Sequence, residues 1–206
     1  MPQLASLLLL LAVMTNFAVL GTSRLITCIQ AVAVQGAILS LLPLAMAHDL
    51  TAHVIGLTVG TFAIKAVAMP RLLRWAIREV AARRDVEPLI GYMPSLLAGA
   101  LAFALAFAIA ARLPLPGTEQ ELLVPVALTG VITGLLVLTT RRKAVTQVIG
   151  YLMLENGTYV FGLALAGQVP LLVEAGVLLD VFAGVFVMGI VIFHINREFE
   201  TAERTP

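Results

Sequence analysis

Four ionisable side chains fall inside stretches otherwise suited to hydrocarbon: Lys65, Glu155, Glu174 and Asp180. A charge in such a place is costly, usually faces the interior of a helix bundle, and often marks an ion or proton route. The clearest case is "VIGYLMLENGTYVFGLAL", residues 148–165, with one carboxylate near its middle. At about 1.5 Å per residue, Lys65 lies some 12 residues into its span, Glu155 about nine and Asp180 about ten, so all three sit near mid-depth. Glu174 follows Pro170 by only four residues and belongs nearer the outer face. A mid-depth carboxylate stays ionised beside Lys65 and takes up a proton when that cation moves away. Sites of this kind joined by water can relay protons. Two readings follow, a static ion pair and ion handling, and three mid-depth charges on three helices favour the second. Glu174 suits a satisfied residue near the interface equally well. It points about 240° away from Asp180 around a helix of 3.6 residues per turn, so the two meet different partners.

The elements that must position these groups are membrane spans. The 206 residues are 60% hydrophobic and 12% charged, with a mean hydropathy of +1.02. Soluble domains carry about a quarter charged residues. A bilayer-crossing helix needs roughly 20 apolar residues. Seven stretches qualify: about 3–21, 25–47, 52–73, 89–111, 122–140, 146–167 and 170–194. The first lacks a positive leader and is long, so it reads as a retained helix rather than a signal peptide. The polar piece from Leu72 to Glu87 extends the third helix until Pro88 ends it. With seven spans, Arg24, Arg71, Arg74, Arg78, Arg83, Arg84, Arg141, Arg142, Lys143, Arg197 and Arg204 share one side, and Arg112 stands alone on the other. That asymmetry predicts an N-terminus outside and a C-terminus in the cytoplasm. The expected fold class is an all-α, polytopic helical bundle forming one integral membrane domain, with a four-helix part over 1–115 and a three-helix part over 120–196.

Other chemistry finds little support. Cys28 is the only cysteine, which excludes an intrachain disulfide and a thiolate metal site. His48, His53 and His194 show no metal-ligand spacing, and there is neither a phosphate-binding glycine loop nor a nucleophile elbow. Arg71, Arg74 and Arg78 recur at helical spacing, as on a solvated face. Gly99 and the alanine-rich run to Ala111 permit close helix approach. Pro94 and Pro125 can kink their helices, and ordinary bundle geometry accounts for both equally well. Asn16, Gln30 and Gln35 are candidates for hydrogen bonds between helices.

The string "RRKAVTQVIGYLMLENGTYVFGLAL" resembles the second helix of the K subunit of respiratory complex I, and "LLVEAGVLLDVFAGVFVMGIVIF" resembles its third, with Asp180 at the acidic position. Aligned on Gly150 and Asn156, that family's second-helix glutamate falls at Leu152, and Glu155 lies one turn further along nearly the same face. Over the whole chain, "IKAVAMP", "GYLMLENGTY" and "LVEAGVLLDVFAGVFVM" resemble the E component of hydrogenase-4-type, formate hydrogenlyase-like complexes. The resemblance implies a membrane-arm subunit in a prokaryotic cell membrane, contributing to proton or sodium translocation. Its partners would be antiporter-like and complex I-like membrane subunits and a hydrogenase arm. It implies no cofactor in this chain and no nucleic-acid partner, with the redox catalysis left to other subunits. Alternatives are a subunit of a multisubunit cation/proton antiporter, whose corresponding component is much shorter, and a stand-alone transporter, for which no internal repeat is evident.

Overall fold

The computed structural model describes residues 2–47, 49–79, 89–113, 121–142, 144–165, 185 and 189. The helices are α1 (Pro2–Gly21), α2 (Leu25–Ser40), α3 (Leu42–Met46), α4 (Ala52–Phe62), α5 (Met69–Glu79), α6 (Tyr92–Ala110), α7 (Leu123–Thr140) and α8 (Ala144–Leu165), and a π-helical turn over Ala63–Ala68 joins α4 to α5. There is no strand among the described residues. Among the described residues, six helices are long and apolar enough to cross a membrane: Gln3–Gly21, Leu25–Met46, Ala52–Trp75, Tyr92–Ala110, Leu123–Thr140 and Val145–Leu165. The chain is therefore a multi-pass membrane protein. Of the seventh expected span only residues 185 and 189 are described, and Glu174 and Asp180 lie outside the described residues.

The second span, expected over 25–47, is Leu25–Met46, with a joint inside it where α2 ends at Ser40 and α3 restarts at Leu42 with Pro43 in its first turn. Pro94 and Pro125 do not kink helix interiors. Each is the third residue of its helix, in the first turn, where a proline's missing N–H removes no intrahelical bond. The irregularity lies instead at Pro70. A proline cannot donate to the carbonyl four residues back, and its ring crowds that carbonyl. The preceding turn widens into the π form, and the Met69 N–H bonds to Ile64 O, five residues back.

Packing is organised around two apolar clusters. One gathers Leu25, Ile29, Leu73, Ile149 and Met153, and the other gathers Leu9, Leu39, Leu42, Leu123 and Tyr159. On α1, Asn16 falls between the contributions to the two clusters. Gln35 does so on α2, Lys65 between α4 and α5, and Glu155 and Asn156 on α8. The bundle thus has a polar layer between two oily ones, and four separate chain segments supply it.

At one end of the bundle Arg141 is buried rather than solvated, at 2% exposure. Its Nη2 donates to Leu20 O at 3.4 Å, and its guanidinium lies 5.8 Å from the centroid of the Tyr92 ring. Burial lowers the Arg141 pKa from its ordinary value. An arginine starts so high that it stays cationic regardless. Arg71, Arg74 and Arg78 are on α5 and all three are exposed, as their spacing predicts.

Candidate functional site

The polar layer is a hydrogen-bonded chain. Lys65 projects from the π-helical turn, and its Nζ donates to Glu155 Oε2 on α8, forming an ion pair. The same Nζ donates to Asn156 Oδ1 at 3.1 Å. Asn156 Nδ2 in turn donates to Gln35 Oε1 at 3.0 Å. Gln35 Nε2 donates to Asn16 Oδ1 at 2.8 Å and to Ala12 O at 3.1 Å. Each amide is thereby oriented. Asn156 shows its carbonyl to the ammonium because its NH₂ is committed to Gln35. Lys65 is 5% exposed and Glu155 1%. A buried charge pair of this kind must be well hydrogen-bonded to offset its desolvation, and Asn156 supplies part of that compensation. The Tyr159 ring, one turn beyond Glu155, sits 5.4 Å from Lys65 Nζ at cation–π distance.

Position along the helices agrees with mid-depth. Glu155 is close to the middle of Val145–Leu165, and Lys65 is just past the middle of Ala52–Trp75. A cleft beside the pair is lined by Ile29, Val32, Met69, Leu73 and Leu152, with Lys65, Glu155 and Asn156 at its polar end. Leu152 and Glu155 line the same cleft, as expected for residues one turn apart. Lys65 and Glu155 are thus brought together. Glu174 and Asp180 lie outside the described residues.

Among the candidate bridging amides, Asn16 and Gln35 join the chain, whereas Gln30 is exposed. The roles of Asn156, Tyr159 and Gly36 escaped the sequence reading. Asn156 carried a signal, as a second polar residue beside Glu155 in an oily helix. Gly36 carried none, because only the fold sets it against Lys65. A Cβ there would stand 2.7 Å from Lys65 Cβ and 3.1 Å from Lys65 O.

No protein-family model matches the chain, and no solved structure matches it. Over 180 residues it is 34% identical to the uncharacterized protein Rv0085 of Mycobacterium tuberculosis, covering 85% of this chain and 81% of that one. The chain belongs to the Rv0085 family. It is also similar to Hydrogenase-4 component E of Escherichia coli (strain K12), at 27% identity over 147 residues, which is 71% of this chain and 68% of that protein. The Shigella flexneri protein of the same name matches to the same extent.

In this Rv0085-family chain the close approach at Gly36 makes a specific prediction. Gly36→Ala forces α2 away from the π-helical turn and is expected to lower stability by roughly 1–3 kcal/mol, the usual cost of overpacking. Gly56→Ala and Gly60→Ala, where an added Cβ meets nothing within 4 Å, should be neutral or slightly stabilising. Thermal unfolding of the purified variants in mild detergent checks the contrast, and equal melting of all three would refute it.

Proposed function

We propose that this chain is a membrane-arm subunit of a hydrogenase-like complex in the prokaryotic cell membrane, where it contributes to proton or sodium translocation driven by redox chemistry in partner subunits. The observation that carries this reading is the similarity to Hydrogenase-4 component E over 71% of the chain. The buried Lys65–Glu155 pair supplies a chemical means, since a carboxylate takes up a proton when its cation moves away and releases it when the cation returns. Asp180 and Glu174, on the proposed seventh helix, extend the charge series. In this reading residues 120–196 form a three-helix part like the K subunit of complex I, and 1–115 a four-helix part beside it. The distribution of arginine and lysine then sets the N-terminus outside and the C-terminus in the cytoplasm. The partners are antiporter-like and complex I-like membrane subunits and a hydrogenase arm, and they hold the cofactors.

Affinity purification of the tagged chain from its native membranes in mild detergent tests this. Hydrogenase subunits are expected to co-purify. Recovery with antiporter subunits alone, or of the chain alone, counts against the proposal.

A further inference from the structure

Helix α4 is turned inside out relative to a soluble helix. Its apolar Ile55, Val59 and Phe62 are exposed, while Thr58 and Thr61 are its buried residues, at 8% and 2% exposure. The next buried residue along the chain is Lys65. Thr58 and Lys65 are seven residues apart, two turns along one face, and Thr61 lies between them.

The hydroxyls of these two threonines behave differently from others in the bundle. Thr15, Thr129, Thr133, Thr139, Thr140 and Thr158 each donate to a carbonyl of their own helix, three or four residues back. That is the usual way for a helical threonine in an apolar setting to satisfy its O–H. The Oγ1 atoms of Thr58 and Thr61 are buried and have no hydrogen-bond partner among the described residues. Two buried hydroxyls without partners, in line with a buried ammonium, are expensive unless something polar meets them.

We propose that Thr58 and Thr61 line a water-filled path by which Lys65 exchanges protons with the aqueous phase at the N-terminal end of α4. This rests on the reading of Lys65 and Glu155 as an ion-handling pair. A hydroxyl both accepts and donates, so it can pass a proton along a chain of waters. Thr58 and Lys65 are about 10 Å apart along the axis, several hydrogen-bond lengths, so waters must complete the path. The species carried is a proton rather than a metal cation, because hydroxyls and waters hand on a proton by exchange and the path ends on an amine, which takes up a proton. The step balances. Lys65 gives a proton to the Glu155 carboxylate, leaving a neutral amine and a carboxylic acid. The amine then takes a proton from hydronium arriving along the hydroxyls and leaves water. One proton from that phase thus comes to rest on Glu155.

The test uses the whole complex in membrane vesicles, measuring proton translocation against hydrogen-dependent reduction of an artificial electron acceptor, with and without a protonophore. The double variant T58V/T61V keeps shape and removes both hydroxyls. It is expected to cut proton translocation at least about tenfold, as for loss of a positioned proton relay, while protonophore-released electron transfer stays normal. T58S/T61S should translocate at close to the unmodified rate. The proposal is overturned if T58V/T61V pumps normally while Glu155→Gln does not, or if T58S/T61S fails as badly as the valine pair. Normal pumping by Glu155→Gln as well would instead overturn the ion-handling reading on which the path depends.

Discussion

Lys65→Met and Glu155→Gln should each destabilise the chain by roughly 3–5 kcal/mol, the cost of leaving one charge of a buried pair without its partner. Both residues are almost wholly enclosed, at 5% and 1% exposure. Such enclosure leaves neither with enough water around it to recover its full solvation. Methionine keeps most of the apolar lysine stem and removes the charge together with the Nζ donor to Asn156. Glutamine keeps a carbonyl acceptor for the ammonium and removes the counter-charge. The double variant K65M/E155Q leaves no net charge in the layer and similar volume. It should regain most of the lost stability, since replacing both members of a buried pair is often neutral or better. The two single variants should therefore not add, as expected for residues in contact. Thermal unfolding in mild detergent reads this pattern directly.

The same double variant separates structure from function. A pair that only braces the bundle can be replaced by a neutral pair without loss of activity. A pair that moves protons cannot. K65M/E155Q is thus expected to fold and assemble but not to support proton translocation in vesicles. Translocation at the unmodified rate in that variant would reduce the pair to a brace.

Much of this layer was legible in the sequence, for a simple reason. Hydropathy locates spans, and counting residues from their ends gives depth. That count alone sets Lys65 and Glu155 at similar levels. Pairing was not legible, because depth leaves the direction around each helix undetermined for segments 90 residues apart. The amides show where the limit falls. Gln30 and Gln35 look alike as polar residues of one span, but five residues rotate a helix by about 140°, so only one of them can join a given face. The burial of Gln35 decides which. Helix starts set another limit. Pro94 and Pro125 each lie within the first turn of a helix whose start hydropathy windows leave loosely placed, and that placement decides for an ordinary helix start over a kink. The π-helical turn had its cue in Pro70, but a proline conflict can be relieved by a kink, a break or a widened turn. Thr58 and Thr61 carried little signal, because threonine is at home in a span when it bonds its own helix.

The α7–α8 seam should be the least tolerant part of the bundle to added volume. Four glycines bring the two backbones together. A Cβ at Gly134 would stand 2.4 Å from Leu154 N, one at Gly150 2.5 Å from Leu138 N, and one at Gly157 2.5 Å from Val131 N; at Gly130 it would be 2.9 Å from Gly157 Cα. The obstructing atoms are main chain on a facing helix, so no side-chain rotation relieves them. Gly130 and Gly134 form a small-xxx-small pair, the pattern that lets helices approach closely in a membrane, where packing rather than water expulsion drives association. Alanine at any of the four must push α8 from α7 along much of their length. Because α8 carries Glu155 and Asn156, the push also moves the polar layer. Gly134→Ala or Gly157→Ala is expected to cost at least about 2–3 kcal/mol, the upper part of the overpacking range. Gly99→Ala supplies the internal comparison. Its Cβ would come 2.5 Å from Leu20 Cδ1, the far end of a flexible side chain that can rotate away, so its cost should be well under half as large. Melting temperatures of the purified variants decide the point. Equal losses at Gly99 and Gly134 would mean that backbone contact is not what holds the seam. A larger loss at Gly134, with proton translocation falling in step with it, would tie the spacing of α7 and α8 to the geometry of the Lys65–Glu155 pair.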